Sequence, residues 1–124
     1  MNDTVLAGKR VLIVEDEGMI GMLFETVLSD LGVEVAGVAQ SATGALEIIE
    51  KTSDQLDGAL LDVNLAGELA FPVADALRSR GIGFVFLTGY ESGALPVRFA
   101  CDPVLRKPVA TPDLLEALRV CLRS

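Results

Sequence analysis

Val11-Leu12-Ile13-Val14-Glu15-Asp16-Glu17 sets the pattern for the whole chain: four consecutive apolar residues, three of them β-branched, end abruptly in three acids. Unbroken rather than alternating apolarity is expected of a strand covered on both faces, as in a parallel sheet held between helices. Four further apolar runs follow, at residues 33–38, 59–61, 83–87 and 104–105, and helical periods separate them. Ile20, Leu23, Phe24, Val27, Leu28 and Leu31 fall on one helical stripe, with Gly32 placed to end the helix in a left-handed residue. Ser41 is an N-cap candidate for a second helix with Ala42, Ala45, Leu46 and Ile49 on one face. Pro72 suits the first turn of a third, carrying Val73, Ala76 and Leu77 and closed by Gly81. Thr111-Pro112-Asp113 reads as cap, N1 proline and first-turn acid of a last helix burying Leu114, Leu115, Leu118, Cys121 and Leu122. Between the last two strands, Gly93 and Pro96 predict only a short, loosely held element over residues 91–100. The alternation predicts a doubly wound, five-stranded parallel sheet with helices on both faces and right-handed crossovers.

Composition sets the outer limits. A chain of 124 residues, 51% hydrophobic and 23% charged, has the size of one domain and enough apolar surface to fold, which excludes a disordered segment. We therefore expect a single domain over residues 1–124. Mean hydropathy is +0.48, yet no apolar run approaches the ~20 residues of a bilayer span. The formal net charge of −8 repels phosphate backbones and anionic lipid, so neither direct nucleic-acid nor membrane binding is expected. Residues 1–10 lack the apolar core of a secretory signal, and the expected location is the cytoplasm. Two cysteines, Cys101 and Cys121, fit no metal-binding spacing and are expected as small core residues in a reduced compartment. With no histidine at all, the chain has no imidazole base and no phosphocarrier of its own.

In doubly wound sheets ligands gather beyond the carboxyl ends of the strands. There the sequence places Glu15-Asp16-Glu17, Asp62-Val63-Asn64, Thr88 and Lys107. Taken singly, each is an ordinary turn or helix-start feature. Together, crowded carboxylates at one edge call for a divalent cation, and an all-oxygen donor set suits hard Mg²⁺. A carboxylate, a hydroxyl and an ammonium beside such an ion are the components of phosphoryl transfer onto an aspartate.

These residues resemble the receiver domains of two-component response regulators across essentially the whole chain, a flavodoxin-like α/β architecture. Residues 11–17 look like that family's first strand with its acidic pair, residues 60–65 like its phosphoacceptor strand, Phe86-Leu87-Thr88-Gly89-Tyr90 like its switch-hydroxyl strand, and Leu105-Arg106-Lys107-Pro108 like its lysine and following proline. The resemblance implies that Glu15, Asp16, Asp62 and the Asn64 carbonyl hold Mg²⁺. It further implies that Asp62 is the phosphorylated nucleophile, that Thr88 and Lys107 grip the phosphoryl oxygens, and that Lys107-Pro108 is cis. Leu105 stands where receivers usually carry Tyr or Phe, whereas Tyr90 follows the threonine, as in the FAT GUY subgroup, which makes Tyr90 and the segment after Gly89 the candidate switch.

The implied function is a stand-alone response regulator that catalyses its own aspartyl phosphorylation and dephosphorylation. Its implied partners are a histidine kinase or histidine phosphotransfer protein as donor, and a downstream protein unless it serves as a phosphate sink. A phosphohydrolase of the haloacid dehalogenase kind would want an acid where Asn64 stands. A flavodoxin-like electron carrier would want a phosphate-cradling loop in place of Glu15-Asp16-Glu17. A fold-only interaction domain would not require Asp62, Thr88 and Lys107 together.

Overall fold

The computed structural model describes residues 6–89 and 95–122. Strands β1 (Arg10–Val14), β2 (Glu34–Ala39) and β3 (Gly58–Asp62) are joined by helices α1 (Gly18–Asp30) and α2 (Ala42–Thr52). A short hairpin, β4 (Asn64–Leu65) and β5 (Glu68–Leu69), precedes helix α3 (Phe71–Ser79). Then come β6 (Gly83–Thr88), a 3₁₀ turn at Val97–Phe99, β7 (Val104–Arg106) and helix α4 (Thr111–Leu122). The main sheet has five strands in the order β2-β1-β3-β6-β7, all neighbours parallel. Strand order reverses between β1 and β3, the place where such sheets open a crevice at their carboxyl edge.

Each inner strand divides its side chains between two cores, because successive residues point to opposite faces. Leu12, Val14, Ala59, Leu61, Phe84 and Phe86 pack with Ala45 and Ile49 of α2 and Val73, Ala74 and Leu77 of α3. Val11, Ile13, Leu60, Val85 and Leu87 pack with Phe24 and Leu28 of α1 and Leu114, Leu118 and Leu122 of α4. Helices thus cover both faces, as the unbroken apolar runs require. Gly32 and Gly81 end α1 and α3 with φ of 86° and 72°. Among the described residues no helix is long and apolar enough to cross a membrane.

Several local expectations need correction. Leu23 is 61% exposed and Leu46 36%, so the buried stripes of α1 and α2 are narrower than their apolar periods. On α1 the close approach falls instead at Gly21, where an added Cβ would lie 3.0 Å from Val38 Cγ1. Cys101 is exposed in the turn before β7 and Cys121 is half-buried, so neither is a fully buried core residue. Thr111 is already helical: Ala110 precedes it as the cap, its carbonyl accepting from Asp113 and Leu114 N–H at 3.1 and 3.0 Å.

The described part of the segment before β7 is firmly held. Phe99 is fully buried and stacks on Phe71 with centroids 5.5 Å apart. A ring buried this way contributes about 1.5–3 kcal/mol. Around it Arg98 Nε and Nη2 donate to the Asp75 carboxylate at 3.0 Å each, while Arg78 pairs with Asp102 and donates to the Arg98 carbonyl at 2.9 Å. A lone glycine or proline in the sequence carries no information about such cross-chain fastening.

Candidate active site at the carboxyl edge of the sheet

Parallel register brings the ends of β1, β3 and β6 level, with Val14 beside Leu61 and Asp62 beside Leu87. Glu15 and Asp16 therefore emerge next to Asp62, and carboxylate oxygens of the three lie within 4.8 Å of one another. Glu15 is fully buried and Asp62 is 5% exposed. Lys107, reaching in from beyond β7, donates from Nζ to Glu15 Oε2 and Asp62 Oδ2 at 2.8 Å each. Its backbone N–H donates to the Thr88 carbonyl at 2.8 Å, and the following Lys107-Pro108 bond is cis, as the family resemblance implied.

The smaller hydrogen bonds orient the acids. Asp62 Oδ1 accepts from the Asn64 backbone N–H at 3.2 Å, and Glu15 Oε1 accepts from Glu17 N–H at 3.3 Å. Thr88 stands half-buried at the end of β6, one residue past the partner of Asp62, with its hydroxyl donating to the Gly89 carbonyl at 3.0 Å. Tyr90 lies outside the described residues. The sequence reading missed the ion pair between Lys107 and Glu15 and the hairpin after Asp62. The only available signal for the hairpin was Gly67, a residue suited to a left-handed turn position between Leu65 and Leu69.

Charge at this edge is unbalanced. Burial, reinforced by the neighbouring Asp62, pushes the Glu15 carboxyl up to about 7 against the opposing pull of Lys107. Burial on its own would lower Lys107, but its bonds to Asp62 and Glu15 outweigh that and hold it above the ordinary lysine range. One ammonium among three carboxylates leaves negative charge that a divalent cation would neutralise. The donor set is all oxygen and partly accessible at Asp16, which fits a hard ion that keeps several waters.

A family model for the response regulator receiver domain matches residues 11–119. The transcriptional regulatory protein GltR of Pseudomonas aeruginosa is 28% identical over 123 residues, covering 94% of this chain and 50% of GltR. The transcriptional regulatory protein PdtaR of Mycobacterium tuberculosis is 29% identical over 118 residues, covering 92% and 57%. The chain thus spans about half the length of these curated relatives. Among solved structures, SdrG from Sphingomonas melonis Fr1 superimposes with a TM-score of 0.82 at 40% identity, covering 94% of this chain and 98% of SdrG. The BeF₃-activated conformation of SdrG gives a TM-score of 0.78 over the same shares.

Proposed function

Because this chain belongs to the response regulator receiver domain family, we propose that it accepts a phosphoryl group on Asp62 from a histidine kinase or histidine phosphotransfer protein and thereby switches a protein-binding surface or drains phosphate from its donor. The observation that carries this reading is the convergence of Glu15, Asp16, Asp62 and Lys107 from three strand ends onto one point, with Lys107 bonded to two of the acids. A merely structural acid has no need of two acidic neighbours; a site that must receive a phosphoryl group and its counter-ion does.

The chemistry follows from the chain's own groups. A carboxylate oxygen of Asp62 attacks the phosphorus of the donor's phosphohistidine, the P–N bond breaks, and the imidazole leaves while an acyl phosphate forms on Asp62. Lys107 exchanges part of its bonding from the carboxylate to a phosphoryl oxygen, and Thr88 turns its hydroxyl from Gly89 to another. Glu15 and Asp16, with Asp62 and the Asn64 carbonyl, would hold Mg²⁺, which would supply neutralising charge to the phosphoryl oxygens. Hydrolysis of the acyl phosphate at the same site returns the domain to rest. Movement of Thr88 passes to the segment beyond Gly89, with Tyr90 the proposed reporter.

A donor also needs somewhere to land. Met19, Met22 and Leu23 of α1 are 86%, 66% and 61% exposed, and an apolar groove runs from Leu23 to Pro108 and Val109 beside Lys107. Exposed methionines suit an adaptable protein contact. The hydrolase alternative is weakened by Asn64, whose side-chain oxygen accepts from Gly67 N–H at 2.7 Å in the hairpin.

The test is intact-protein mass spectrometry after incubation with acetyl phosphate and Mg²⁺, run beside phosphotransfer from a phosphorylated histidine phosphotransfer protein. One Mg²⁺-dependent phosphate adduct, absent in Asp62→Ala, is expected. No adduct from either donor would replace the proposal with a fold-only interaction domain.

A further inference from the structure

The chain just past Asp62 folds in a way its apolar pattern did not require. β4 and β5 pair antiparallel, Asn64 opposite Leu69 and Leu65 opposite Glu68, around a turn whose Ala66 and Gly67 have φ of 54° and 92°. Two successive left-handed residues give the tight turn whose twist suits a hairpin, although alanine carries a steric cost there. A two-stranded ribbon this short is not stable alone.

It is fastened from outside. The Ala70 N–H donates to the Val63 carbonyl at 3.0 Å, which closes the base of the hairpin. The more distant tie runs from the arm: Glu68 Oε1 accepts the backbone N–H of Ala42, at the head of α2, at 3.1 Å across 26 residues. The first turn of α2 contains no acid of its own, and Ser41 Oγ accepts only the Gly44 N–H at 3.0 Å. Glu68 thus brings a carboxylate to the Ala42 N–H, which the helix itself cannot pair, and to the positive end of the helix dipole, and in exchange α2 fixes where the hairpin sits.

We propose that Glu68 is a positioning residue for the metal-binding side of the Asp62 site: by tying the hairpin to α2 it sets the backbone of Asn64. That backbone already meets the phosphoacceptor, through the Asn64 N–H on Asp62 Oδ1 at 3.2 Å. The inference rests on the reading that Asn64 contributes its carbonyl to Mg²⁺. Glu68 does not touch the metal; it acts through hairpin geometry, as outer-shell partners of metal ligands do.

The experiment is a Mg²⁺ titration of the full chain followed by backbone amide shifts in ¹⁵N-labelled protein. Glu68→Ala is expected to weaken Mg²⁺ roughly tenfold and to shift the metal-free Asn64 and Gly67 amides. Glu68→Gln keeps an acceptor oxygen at the same reach and stays near wild type, whereas Glu68→Asp, one methylene shorter, behaves like alanine. Ser41→Ala is the control, since it uncaps the same helix without touching the hairpin: it lowers the melting temperature and leaves Mg²⁺ affinity alone. Wild-type affinity in both Glu68→Ala and Glu68→Asp, or an equal loss in Ser41→Ala, overturns the role of Glu68 and leaves the receiver reading standing. Wild-type protein whose Asp16 and Asp62 amides ignore Mg²⁺ overturns the metal reading itself, and this inference with it.

Discussion

Lys107 sits at the junction of two tasks. Its ammonium offsets two buried acids, and under the proposed function it would pair with the phosphoryl group on Asp62. Lys107→Ala is therefore expected to keep the Mg²⁺-induced rise in melting temperature while losing the spectral change produced by BeF₃. Retention of that full change would remove Lys107 from the phosphoryl contact. The two thiols differ as sharply. Burial pushes the Cys121 thiol up to about 12, whereas Cys101 is exposed. At pH 8 iodoacetamide should modify Cys101 in the native protein long before Cys121, because the thiolate is the reactive species. Peptide mapping of a time course reads the order, and equal rates would contradict the packing of α4 against β6.

That packing has a sharp requirement within β6. A Cβ at Gly83 would lie 2.4 Å from the carbonyl oxygen of Cys121 in α4, a backbone atom that cannot step aside. At Gly58 in β3 the clash is with the end of the Leu122 side chain, which can rotate. Gly83→Ala should cost about 1–3 kcal/mol in urea denaturation, in the range of overpacked cores, and Gly58→Ala distinctly less. In the hairpin the sign reverses: Ala66→Gly relieves a left-handed alanine and should gain about 0.5–1 kcal/mol after glycine's own entropy cost. A loss of stability there would mean that the alanine methyl makes a contact worth more than the strain.

Across the molecule, the acidic edge couples metal binding to folding. Glu15, Asp16 and Asp62 come together only in the folded chain, so Mg²⁺ is expected to bind the native state and raise its melting temperature. At a hundredfold excess over Kd the gain is about 2.7 kcal/mol, and Asp16→Ala should abolish it. An unchanged Mg²⁺ response in that variant, read by calorimetry, would move the ion elsewhere. The same architecture puts the fastened chain before β7 and the exposed methionines of α1 on opposite faces of the sheet. Phe99, Arg98 and Arg78 bind the chain before β7 to α3 on one face of the sheet, while α1 and its exposed methionines lie on the other.

The order of the five main-sheet strands and their helices, the two-sided core and the residues of the acidic edge were legible in the letters, because burial on both faces writes unbroken apolar runs and strand ends expose whatever follows them; the hairpin after Asp62 was not. Val11 to Val14 with Glu15 and Asp16 carried most of that information. Which apolar residues would stay exposed was not legible. Leu23 and Leu46 match their helical periods as well as Phe24 and Ile49 do, and only the angle at which each helix meets the sheet sorts them. The bond from Lys107 to Glu15 spans 92 residues and that from Glu68 to Ala42 spans 26. Contacts at such separations leave no local period in a sequence; they exist because the parallel sheet carries distant strand ends to one edge. Sequence determined what chemistry was present, and tertiary structure decided which groups would meet.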